Sequence, residues 1–280
     1  MKIKYLLPLL FITLLSVSCS TDNTNTPHDE TEGLLKIQDF SNGDYTIEVY
    51  SKSGLFYTGY NHISLRIKNL NTNKYLENAN IEWMPVMQMP TMEHSCPKSE
   101  ITKVENKQTI YEGYIIYQMT GMNGSGWSLT FNFTIDGVNH TIKDTINLIQ
   151  SDLQNVTSFT GTDEVRYIIA LVEPNQPVIG TNKIKAGLFE MESMMNFTEV
   201  TDYTIALDPR MPSMGNHTSP YNKDLSYNST DRMYYGDLSL TMTGYWVLNL
   251  KLLNEENSVL KGEDITESNA KSSLYLEIEF

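Results

Sequence analysis

The chain has few cysteines, little positive charge and no sustained helical pattern. Cys19 and Cys96 are its only two cysteines in 280 residues, too few for a disulfide framework. Lys and Arg number 20 against 34 Asp and Glu, a formal charge of −14, and the basic residues form no cluster. Binding to nucleic acid or to anionic headgroups is therefore disfavoured. No paired-carboxylate, Ser-His-Asp or phosphate-loop constellation has interpretable spacing, so the chain reads as non-enzymatic. No segment keeps a 3.6-residue apolar period over three turns, which argues against a helical fold.

At the start of the chain, Lys2 and Lys4 precede an apolar run that ends in Ser16-Val-Ser-Cys19. The run is too short and wrongly flanked to span a membrane, and it reads as a secretory signal over residues 1–18. Its end resembles the bacterial lipobox, which implies lipidation of Cys19. The protein is then anchored to an inner or outer envelope membrane, with its folded part in the periplasm or at the cell surface. Removing residues 1–18 takes away Lys2 and Lys4 and moves the charge from −14 to −16. Residues 19–37 are largely polar and acidic and are expected to form a flexible tether, with His28 solvated within it.

The remainder repeats itself at an offset of 121 to 123 residues. Gly59-Tyr-Asn61 falls on Gly180-Thr-Asn182, Met89-Pro-x-Met92 on Met211-Pro-x-Met214, and His94-x-x-Pro97 on His217-x-x-Pro220. Tyr111-x-Gly113 falls on Tyr234-x-Gly236, Met119-Thr-Gly121 on Met242-Thr-Gly244, and, at a shorter offset, Trp127-x-Leu129 on Trp246-x-Leu248. Alternating runs such as Trp127–Phe133 and Trp246–Leu252 predict antiparallel strands with one buried face. The expected architecture is all-β: two tandem immunoglobulin-like sandwiches over residues 38–150 and 163–280, joined by a linker over 151–162.

Methionine is concentrated where the repeat is most specific. An even scatter of 14 methionines over the chain would put fewer than one in a nine-residue window, yet residues 84–92 hold Met84, Met87, Met89 and Met92. Thioether and imidazole groups suit soft metal ions, Cu(I) first, with Ag(I) close behind; zinc seldom uses thioethers. Pro90 and Pro212 stiffen both loops. Met89, Met92 and His94, with Cys96 as a fourth group, form one candidate site; Met211, Met214 and His217 form the second, and Met84 and Met87 are possible additions. The alternative for any methionine is core filling.

Cys96 has three readings: metal ligand, intermolecular disulfide or inert buried residue. Met191-Glu-Ser-Met-Met195 either extends the second site or faces the core, while Met119 and Met242 are expected in the core. His62 and His140 lack repeated partners and read as surface or hydrogen-bonded residues. Blue-copper electron transfer needs a second histidine near His94 and Cys96, and none recurs there.

The Met-Pro-x-Met…His-x-x-Pro loop followed by Tyr-x-Gly, Met-x-Gly and Trp-x-Leu resembles the YtkA-like and FixH-like envelope domains, over about 90 residues of each half. Glu93 and the additional Asn216 depart from the commonest form of that loop. The resemblance implies copper handling, with an envelope protein as copper donor or acceptor. From a different class comes a surface lipoprotein whose sandwiches bind a glycan or protein partner, the methionines forming an apolar contact loop.

Overall fold

The computed structural model describes residues 29–121 and 124–280, so the expected signal segment, the expected lipidation at Cys19 and His28 lie outside the described residues. Both halves are antiparallel β-sandwiches of immunoglobulin-like character, and among the described residues the only helical turn is a short 3-10 segment, Pro212–Met214.

In the first half, one sheet orders β1 (Leu35–Ser41), β2 (Tyr45–Ser51), β4 (Gly59–Asn69), β9 (Tyr111–Tyr117) and β8 (Thr102–Lys103), with β5 (Lys74–Tyr75) on β4. The facing sheet orders β11 (Val138–Thr145), β10 (Gly126–Ile135), β6 (Asn80–Gln88) and β7 (Glu93–His94). A short parallel pair, β3 (Phe56–Tyr57) with β12 (Leu148–Ile149), closes the end. Strand β10 shows why the sheets form. Trp127, Leu129, Phe131 and Phe133 are buried, while Ser128 and Thr130 between them are half-buried and Asn132 and Thr134 face solvent, the alternation that a half-buried strand requires.

In the second half, β13 (Val156–Thr160), β14 (Arg166–Glu173), β15 (Gly180–Met191) and β20 (Met233–Leu240) form one layer, with β16 (Phe197–Glu199) on β15. The other layer holds β17 (Thr204–Met211), β21 (Tyr245–Leu253), β22 (Val259–Lys261) and β23 (Tyr275–Glu279), with β18 (His217–Thr218) on β17. Strand β19 (Lys223–Asn228) pairs with both β20 and β17 and so joins the layers.

Two expected boundaries move. Residues 156–160, expected within the linker, form β13 and pair with β14 across five positions. The tether expected over residues 19–37 does not hold for its last residues: β1 begins at Leu35, and the Glu30 carboxylate accepts the backbone N–H groups of Gln108 and Thr109. Within the same expected tether, Ile37 packs against the first domain's core. Polar composition does not reveal a carboxylate that satisfies two backbone donors of a distant turn.

The same hydrogen-bond devices recur in both sandwiches. The Asn61 amide donates to the carbonyls of Tyr57 and Gly59 at 2.7 and 2.9 Å and accepts Tyr57 N–H at 2.9 Å. Asn182 repeats this with Val178 and Gly180 at 2.8 and 3.2 Å, accepting Val178 N–H at 2.9 Å. The indole of Trp127 donates to the Met119 carbonyl at 2.8 Å, and that of Trp246 to the Met242 carbonyl at 3.1 Å. Gly113 and Gly236 are the repeated close-approach points: a Cβ would lie 2.8 Å from Trp83 at the first and 2.5 Å from the Lys223 carbonyl at the second.

Each half has its own core, one around Trp127 and Phe131 and one around Trp246 and Leu248. A third apolar cluster joins them: Ile116 of β9 meets Ile168, Ala170 and Phe189 of β14 and β15, flanked by Tyr60, Tyr114 and Met191. An apolar contact of this kind opposes independent domain motion.

Candidate metal-binding hairpin

Strands β6 and β7 form a hairpin whose register governs the site. Met87 pairs with His94 and Gln88 with Glu93, and Met89 N–H donates to the Met92 carbonyl at 2.9 Å, so Pro90 and Thr91 are the turn. Directly opposed residues and residues two apart in a strand share a face. Met87, Met89, Met92 and His94 therefore all lie on one face of this hairpin. Trp127, paired with Met87 on the adjoining strand β10, lies on that face as well.

Depth separates these residues. Met87 is 1% exposed and belongs to the core, Met89 packs half-buried against that core, and Met92 is 48% exposed. The His94 imidazole is half-buried, stands edge-on to Trp127, and its Nδ1 lies 2.9 Å from the Ser95 carbonyl. A carbonyl can only accept, so neutral His94 carries its proton on Nδ1 and leaves the Nε2 lone pair available. A backbone carbonyl holding the second ring nitrogen is the usual support of a metal-ligating histidine.

Met84 projects to the opposite face, where the Ser95 hydroxyl donates to the Pro85 carbonyl at 2.7 Å and lies 3.6 Å from the Met84 sulfur. Cys96 belongs to the core. It is 1% exposed, burial pushes its thiol well above the ordinary range, and the opposing pull of Lys98 does not offset this. The matching Ser219 is also buried and donates to the Ser239 hydroxyl at 3.0 Å, so the position points inward in both copies. The fourth ligand expected at Cys96 is thus enclosed in packing, without the electropositive, accessible surroundings that favour a thiolate.

The second copy corrects the sequence alignment of the loops. Met211 pairs with His217, and Arg210 pairs with Val247 on β21, so the next register position sets Met211 beside Trp246. Met211 therefore matches Met87, not Met89, and Pro209 matches Pro85. Met211 is 3% exposed and lies in the core, while Met214, on the 3-10 turn, is 56% exposed and His217 is exposed on the edge strand. The second trio thus has one member sunk in the core and no counterpart to the Met89–Met92 pair.

Other sequence expectations resolve individually. Met119 is 37% exposed and acts through its backbone carbonyl, whereas Met242 packs on the second core. His62 pairs with Glu112 at 3.3 Å on the surface, and His140 stacks on Phe133. Met191 joins the cluster between the domains, and Met194 and Met195 lie beside the first domain's hairpin, away from the second site: Ser95 N–H donates to the Met194 carbonyl at 2.8 Å. Sequence reasoning did not connect Trp127 with His94; the Trp in each repeat was the available signal, but its neighbour depends on strand register. Among the described residues, no three His, Cys, Asp or Glu side chains converge as a metal cluster, so the donors on offer at the hairpin are thioether and imidazole.

No family model matches the chain, and no curated protein matches it. Among solved structures, the chain is similar to one reported under the words "FdeC, a Novel Broadly Conserved Escherichia coli Adhesin Eliciting Protection against Urinary Tract Infections", at 11% identity and a TM-score of 0.24. The match covers 80% of this chain and 64% of that one, so the chain spans less than two thirds of its length. A likeness at that level decides nothing about what this chain binds.

Proposed function

We propose that the β6–β7 hairpin binds Cu(I) through Met89, Met92 and the Nε2 of His94, and that the protein is an envelope lipoprotein serving as copper chaperone, buffer or tolerance factor. The supporting observation is the shared face of these three residues on a proline-stiffened two-residue turn, with His94 Nδ1 already committed to a carbonyl. Two thioethers and one imidazole are a soft, uncharged set that favours Cu(I) and Ag(I) over Zn(II). The exposed Met92 gives the ion a route to an envelope donor or acceptor protein. Cys96 has no part in this reading, and the exposed Met214–His217 loop is at most a weaker, exchanging site.

The test is an anaerobic Cu(I) titration of the chain from Ser20 onward against a competing chelator, with Zn(II) in parallel. Uptake of Cu(I) that is lost when Met89, Met92 and His94 are replaced together supports the reading. Undiminished uptake by that variant refutes the assignment.

A second reading, partner binding on a surface-exposed lipoprotein, draws on a different feature. A cleft of about 840 Å³ lies between the domains, lined by Tyr57, Tyr60, Lys52, Glu173, Asn175 and Gln176 among others. Aromatic and amide side chains at a domain boundary suit a glycan or peptide ligand. Partner binding there that is indifferent to copper and to chelators distinguishes this reading from the first.

A further inference from the structure

The segment joining β15 to β16 is itself a tight hairpin, and its tip is chemically anomalous. Ser193 N–H donates to the Asn196 carbonyl and Asn196 N–H to the Ser193 carbonyl, both at 3.3 Å, which leaves Met194 and Met195 as the two turn residues. Such positions favour Gly, Asn, Asp or Pro, each for a backbone reason that methionine lacks. The turn is held without the methionine side chains. The Ser193 hydroxyl accepts the N–H groups of Met195 and Asn196 at 3.3 and 3.1 Å, and Glu192 is engaged by Asn196 and Thr198.

Two thioethers are therefore left 38% and 40% exposed at a point where neither the turn nor a core uses them. That point touches the first domain's hairpin. Ser95, whose N–H binds the Met194 carbonyl, directly follows His94, and the bond covers the otherwise open edge of β7. A local rule broken without structural gain is characteristic of a functional position. Two methionine-bearing turns, one from each domain, thus meet through a backbone bond one residue from His94.

We propose that the Met194–Met195 turn supplies a thioether to the soft metal ion held by Met89, Met92 and His94, so that the site is completed across the domain boundary and the ion ties the two sandwiches together. This rests on the Cu(I) reading of the β6–β7 hairpin. It deepens that reading by assigning a ligand from the other domain, where the sequence repeat suggested two separate sites.

The experiment compares Cu(I) affinity, by chelator competition, and the number of sulfur neighbours, by X-ray absorption at the copper edge. The chains compared are wild type, a Met194→Leu/Met195→Leu double variant and a Met89→Leu/Met92→Leu double variant. Leucine keeps the apolar bulk and the backbone bond to Ser95 while removing sulfur. The expected result is an affinity about tenfold weaker, a clear step in competition, and one sulfur neighbour fewer in the Met194→Leu/Met195→Leu chain. Unchanged affinity and sulfur count in that chain, with binding abolished by Met89→Leu/Met92→Leu, overturns this inference and leaves the hairpin site standing. Absence of Cu(I) uptake by the wild-type chain overturns both.

Discussion

The imidazole of His94 stands edge-on to the indole of Trp127, ring centroids 5.2 Å apart with planes at 86°. An aromatic pair at this distance responds to any change in the charge or position of the smaller ring. Coordination of Cu(I) or Ag(I) at His94 Nε2 therefore perturbs the fluorescence of Trp127. Titration with Ag(I), which has no redox chemistry to confuse the signal, is expected to quench part of the tryptophan emission, and Trp127→Phe is expected to abolish that part. An identical response in the Trp127→Phe chain means that the ion binds elsewhere.

The repeated asparagines make a prediction that involves no metal. Asn61 and Asn182 are each 7% exposed, and each satisfies one backbone N–H and two carbonyls at a strand start. Replacing either by alanine leaves those groups unpaired in a buried setting and costs about 1–3 kcal/mol. Urea unfolding of Asn61→Ala and Asn182→Ala is expected to give losses of similar size. A negligible loss in either shows that the device in that domain is dispensable.

The asparagine device was visible in the sequence because identical residues stood at one offset, and the strand Trp127–Phe133 because its burial alternates; Trp246–Leu250, expected to bury one face, is buried at every position. The register of the methionine loops was not. Met89-Pro-x-Met92 and Met211-Pro-x-Met214 match as strings, but Pro90 lies in a two-residue turn whereas Pro212 opens a 3-10 turn. The structural equivalents, Pro85-Val-Met87 and Pro209-Arg-Met211, are fixed by their partners on β10 and β21. A strand's partner is a long-range property, and local spacing does not encode it. For the same reason the approach of Met194 to Ser95, across about a hundred residues of chain, was beyond any repeat-based argument.

Acid sensitivity is expected at a charged cluster on the outer face of β2 and β4. Burial alone raises the Glu48 carboxyl, but hydrogen bonds from Tyr50, Arg66 and Lys36 outweigh it and hold the group at about 2, against an ordinary 4.5. A folded value below the unfolded one means that this contribution is complete above about pH 4.5 and is lost as the pH falls toward 2. Glu48→Gln is expected to cost about 2–3 kcal/mol at pH 7 by that linkage. The difference between the two proteins should shrink steadily below pH 4.5. A difference independent of pH in denaturant titrations at pH 7 and pH 3 removes the carboxylate's charge as its source.

Cys96 discriminates a ligand from a core residue most directly. Burial raises its thiol, with Lys98 opposing only in part, so the native protein holds almost no thiolate at pH 8. Alkylation by iodoacetamide is expected to proceed only as fast as the protein opens, and to become rapid in denaturant. Cys96→Ser introduces a hydroxyl where the second domain has Ser219 paired with Ser239, but β9 carries Ile116 at the register position of Ser239. The buried Tyr117 hydroxyl, which has no hydrogen-bond partner among the described residues, lies within electrostatic reach of Cys96, so the substitution is expected to cost less than the roughly 1–3 kcal/mol of an unpaired buried hydroxyl. The number of Cu(I) ions bound should not change, because Met89, Met92 and His94 are untouched. Rapid native-state alkylation, or loss of Cu(I) in the Cys96→Ser chain at temperatures where it remains folded, would return the thiol to the ligand set and shift the site from the hairpin surface toward the Trp127 core.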